Sequence, residues 1–124
     1  MLGKFALAAS ALLISASAAM AAGPCDQPYA PAAVDGSKAT EAQMKGAHDD
    51  VMNFMKASDD YQSCLLDDLK NQKETAAKAK DPKPLDPSIE QGVNAKVDAN
   101  QRDKEKVGAE FNAAVMAYKA AHPK

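Results

Sequence analysis

Residues 81–87 (DPKPLDP) place three prolines in seven positions and separate two long stretches of helical pattern. Proline has no backbone N–H, and its ring clashes with the carbonyl four residues earlier, so no regular helix runs through this segment. Asp86 followed by Pro87 reads as a helix start, with the carboxylate at the N-cap and proline at the first helical position. The chain therefore turns here once.

On the N-terminal side, Met44, Ala47, Val51, Phe54, Met55, Tyr61, Leu65 and Leu69 recur at steps that mark one face of a helix over about 38–80. Lys45, Asp49, Asp50, Lys56, Asp60 and Lys70 fall on the other face. Asp35, Ser37 or Thr40 can cap this helix, and Thr40 with Gln43 has capping-box spacing. On the C-terminal side, Ile89, Val93, Val97, Val107, Phe111, Ala114, Val115 and Tyr118 give a second apolar face over about 87–121. Asn100 and Lys104 interrupt that face, so the middle of the seam is expected to be wetter than its ends. Two helices joined by a short proline loop predict an antiparallel αα-hairpin. With Lys80 opposite Pro87, facing positions sum to roughly 168, which sets Phe54 and Met55 against Ala114 and Val115. Either helix has a possible break at Gly46, Gly92 or Gly108.

Residues 22–36 (AGPCDQPYAPAAVDG) carry Pro24, Pro28 and Pro31 and read as an extended arm. Before them, residues 1–21 have the zones of a signal peptide: Lys4, then the apolar run FALAASALLI, then small residues. Ala19-Met20-Ala21 puts small side chains where signal peptidase needs them, so cleavage is expected between Ala21 and Ala22. The apolar run is shorter than the roughly 20 residues a membrane span takes, and the mature chain has no other candidate span. Pro24 before Cys25 argues against lipoprotein processing at that cysteine. The expected division is signal peptide 1–21, arm 22–36 and helical hairpin 37–124, in the periplasm or outside the cell.

Removing residues 1–21 takes only Lys4 from the charged residues, leaving 14 Lys and Arg against 17 Asp and Glu. A mildly acidic chain without basic clusters is a poor ligand for nucleic acid. Rich in Ala, Lys, Asp and Gln and without Trp, the composition favours helix over sheet and gives a thin core, so the expected class is all-α.

Cys25 and Cys64 are the only cysteines, and an exported chain is expected to join them. From Ser37 back to Cys25 an extended arm of 12 residues spans about 37–40 Å. Cys64 lies about 40 Å along the first helix, so the arm has the length to fold back to it. Neither cysteine sits in a Cys-x-x-Cys pair or beside an obvious cation, which disfavours redox chemistry.

Met44, His48 and Met52 repeat every four residues on helix 1, and the hairpin register brings His122 towards them. Thioether and imidazole groups suit copper, which makes these four residues a candidate metal site; the plainer reading has Met44 and Met55 filling the core with His48 at its edge. The pairs Asp49-Asp50, Asp59-Asp60 and Asp67-Asp68 are interleaved with lysines and read as a solvated face. Residues 98–105 lack the glycine and glutamate of a calcium loop. Ser63 has no histidine near it, and no carboxylate pair sits in a desolvated pocket, so no catalytic residue and no cofactor is assigned.

Residues 25–29 (CDQPY), 61–65 (YQSCL), 94–100 (NAKVDAN) and 107–112 (VGAEFN) resemble a group of small exported bacterial helical proteins of uncharacterised function. That resemblance implies export and the Cys25–Cys64 pair, and no activity or ligand. The expected role is structural or protein-interacting, with an unknown protein or envelope component as partner and self-association possible. The alternative is a periplasmic copper-binding protein.

Overall fold

A computed structural model describes residues 25–124; the expected signal peptide, the expected cleavage between Ala21 and Ala22, and residues 22–24 of the expected arm lie outside the described residues. The described residues form two helices and no strand: α1 over Glu41–Lys78 and α2 over Pro87–Ala121.

Local chemistry sets the ends. Thr40 caps α1: its hydroxyl accepts from the Gln43 backbone N–H at 3.2 Å, and the Gln43 side chain accepts from the Thr40 N–H at 2.8 Å. The helix starts there and not near residue 38, because Asp35 and Ser37 are engaged in a turn of their own. The Asp35 carboxylate accepts from both the Ser37 N–H and its hydroxyl. At the other end α1 stops at Lys78. A helix one turn longer would set the ring of Pro82 against the carbonyl of residue 78. Asp86 caps α2 by accepting from the Ser88 N–H at 2.9 Å, with Pro87 at the first position. Both helices run unbroken through Gly46, Gly92 and Gly108.

Cross-helix contacts show direction and register together. Lys73 pairs with Glu90, Gln62 donates to Asn100, Asp59 pairs with Lys104, and the Met55 methyl lies beside Gly108. Partners in α2 rise as residues in α1 fall, so the helices are antiparallel. Facing numbers sum to about 163, which corrects the register of 168 by about five residues, more than one turn. The loop 79–86 turns with α1 two residues shorter than expected, and α2 starts alongside the last turn of α1 instead of level with its end.

The consequence is a different pairing of the core. Phe54, Tyr61, Leu65, Leu69 and Val107 are buried along the seam. Ala114 instead packs with Met44 and Ala39 in a cluster flanked by Val34, Phe111, Val115 and Tyr118. The segment before α1 is thus part of the core at the terminal end of the hairpin. Its Gly36 is buried, with the position of an absent Cβ only 1.8 Å from the Ala114 carbonyl oxygen.

Candidate functional site

Three features of the hairpin are candidates for function, and each follows from where the helices put its residues.

The first is the strap before α1. Cys25 and Cys64 are joined in a disulfide, with 5.7 Å between their Cα atoms. From there to Asp35 the chain has neither helix nor strand. Pro31, Ala32, Ala33 and Val34 lie against Ala47 and Val51 of α1 and Val107 and Phe111 of α2, leaving a cleft of only about 20 Å³. Nine residues from Cys25 to Val34 thus run past about 17 residues of α1. That matches the ratio of extended to helical rise, about 3.1 against 1.5 Å per residue. Tyr29, between Pro28 and Pro31, is 96% exposed.

The second is a polar node in mid-seam. Asn100 and Ser58 are fully buried, and the Asn100 amide donates to the Ser58 hydroxyl at 3.2 Å. Gln62 donates to the Asn100 carbonyl oxygen at 2.8 Å. Lys104 reaches across to Asp59 at the edge, with its side chain largely covered. The seam is therefore dry and hydrogen-bonded where the sequence predicts it wet; among the described residues no buried side-chain N or O lacks a partner. A satisfied buried node of this kind fixes one register, because any slip along the helices strands its polar groups.

No family model, curated protein or solved structure matches this chain. The site must be read from its own chemistry.

The third feature is the Met and His row. Met44 is buried in the terminal cluster, whereas Met52 is 55% exposed. A four-residue repeat advances about 40° beyond each full turn, so the row winds from core to solvent. His48 lies half-exposed, its ring 5.9 Å from that of Phe111 and its Nδ1 3.4 Å from the Asp49 carboxylate. His122 stacks on Tyr118 at 4.3 Å, with its Nδ1 3.0 Å from the Tyr118 carbonyl oxygen. Each histidine is thus held against its own neighbour on α2 or beside it. Among the described residues no group of three or more His, Cys, Asp or Glu side chains is arranged to hold a metal ion.

Ionisation is perturbed only at the surface. Hydrogen bonds from Ser37 hold the Asp35 carboxyl below its ordinary value, and those from Ser88 do the same for Asp86. The Glu41–Lys45 contact lowers the glutamate and raises the lysine, first through the hydrogen bond and then through charge. These groups stabilise turns and helix ends; all lie at the surface.

Sequence reasoning missed Ser58, Gln62 and Gly36. Ser58 stands three residues before Tyr61 and four after Phe54, in step with the apolar face, which is the signal that could have found it.

Proposed function

We propose that the protein is an exported structural or interaction protein of the periplasm or cell exterior. In this role the arm, folded back along α1, braces a hairpin that presents a rigid surface to an envelope protein. The observation that carries this is Tyr29: an aromatic ring 96% exposed, between two prolines, on a segment tied down by the disulfide and by Val34 and Gly36. Tyrosine supplies contact area at low entropic cost, and a strap fixed at both ends lowers that cost further. Met52 and Met116, 55% and 68% exposed, add adaptable apolar contacts elsewhere on the surface. The two joined cysteines and the resemblance to small exported bacterial helical proteins support the exported location, and the helix-forming composition supports the hairpin.

Site-specific photocrosslinking in the native envelope tests it. A crosslinker at position 29 is expected to give a discrete adduct, lost on competition with the uncrosslinked protein. The same group at Lys106, on the exposed face of α2, is expected to give none. Equal labelling from both positions would remove Tyr29 as a contact.

The alternative, copper binding through Met44, His48, Met52 and His122, makes an opposite demand on the fold. Recruiting Met44 would take a buried side chain out of the terminal cluster. Titration of the oxidised protein with Cu(I) and Cu(II) is expected to show no stoichiometric tight site, with His48→Ala as control. A one-to-one site abolished by His48→Ala would establish the copper reading instead.

A further inference from the structure

Past Cys25 the interhelical groove continues towards the loop, and none of the described residues fills it. Under the arm the cleft is about 20 Å³, whereas beyond the disulfide it opens to about 500 Å³. Tyr61 and Leu65 of α1 and the half-exposed Ile89 and Val93 of α2 line this open part. Among the described residues the terminal half of the hairpin has a third layer and the loop half has none. Gly92 also lines the groove, and a Cβ there would meet nothing within 4 Å. Glycine inside a helix costs about 1 kcal/mol relative to alanine, and the chain's own packing gives no return for it.

We propose that this groove is a contact face between two copies of the chain. The inference rests on the interaction role above and names one partner for it. Charge decides for a second copy. Asp68 on α1 and Lys96 on α2 stand on opposite sides of the groove and, in the observed register, at the same height. A twofold axis along the hairpin sets each α1 over the partner's α2, so that Asp68 meets the partner's Lys96 twice. The twofold across the hairpin would instead oppose like charges. Lys96 forms none of the salt bridges among the described residues, which leaves its charge available. Gly92 allows the two backbones to approach, with Ile89 and Val93 as the apolar centre.

Sedimentation velocity of the oxidised exported protein across a concentration series tests this directly. A reversible dimer is expected. Gly92→Lys should make it monomeric while its melting temperature holds or rises, because lysine is the better helix former and its Cβ meets nothing within 4 Å. Asp68→Lys and Lys96→Asp should each weaken dimerisation by about tenfold or more, and the double exchange should restore it. Circular dichroism of every variant checks that the helices persist. A monomer at all concentrations, or a dimer indifferent to Gly92→Lys and to the charge exchange, would overturn the proposal. Crosslinking from Tyr29 is independent of either result, so the interaction role stands or falls separately.

Discussion

Gly36 lies against the backbone of α2 so closely that a Cβ would sit 1.8 Å from the Ala114 carbonyl oxygen and 2.7 Å from its carbon. Its φ is not positive, so closeness and not backbone freedom requires glycine there. The neighbour is backbone in mid-helix and cannot swing aside. Gly36→Ala is therefore expected to destabilise by about 1–3 kcal/mol or more, as overpacking in a filled core does. Chemical denaturation checks it, and an unchanged midpoint would mean that the strap lifts off α2 without cost. In the sequence, Gly36 reads as the end of the extended arm, between the possible caps Asp35 and Ser37; the close approach depends on the register of a helix nearly 80 positions away. Asn100 shows the same limit from the other side. Its interruption of the apolar pattern is legible, but whether it meets water or a partner depends on Ser58 and Gln62 standing opposite. At Asn100 the polarity is legible in the sequence and its satisfaction is not.

At the scale of the helix, ends were more legible than middles because end chemistry is local. The Thr40–Gln43 box and the Asp86-Pro87 start involve residues within three positions of one another. The end of α1 at Lys78 also follows from one residue, Pro82, acting four positions back. Two residues of difference there, together with the start of α2 alongside the last turn of α1, move every cross-helix pair. The caps also predict how stability responds to acid. Asp35 and Asp86 both titrate below the 3.8 of an unperturbed aspartate, held down by hydrogen bonds to the charged form. The unfolded chain then binds more protons, so their contribution is full above 3.8 and is lost as pH falls through the lower folded values. Melting temperature should fall as the pH drops below about 4. Asparagine is an equally good N-cap but does not titrate, so Asp86→Asn should keep stability near neutrality and flatten the acid slope. An acid slope identical to that of the parent protein would show that Asp86 titrates alike in both states.

For the whole molecule the question is whether strap and hairpin form one cooperative unit. A two-helix hairpin buries little by itself, and the all-helical class could be read from composition because so few β-branched or aromatic residues are present. What composition could not show is that Val34, Ala39, Met44 and Ala114 meet, so that the strap supplies core to both helices. The disulfide spans 39 positions of sequence and closes a loop that contains the strap and most of α1 but none of α2. If the strap merely lay on the surface, losing the bridge would loosen residues 25–36 and leave the hairpin's melting point alone. Because the strap shares a cluster with α2 and Gly36 is wedged against Ala114, the three segments are expected to unfold together. Replacing both cysteines by serine should then cost the entropy of the whole loop, about 3–4 kcal/mol, and lower the melting temperature by about 15 °C. Hydrogen exchange adds the decisive detail: amides of α2 around Ala114 should lose protection together with those of early α1. Loss confined to residues before Thr40, with an unchanged melting temperature, would show instead that the strap is an appendage and that the node at Asn100 holds the hairpin alone.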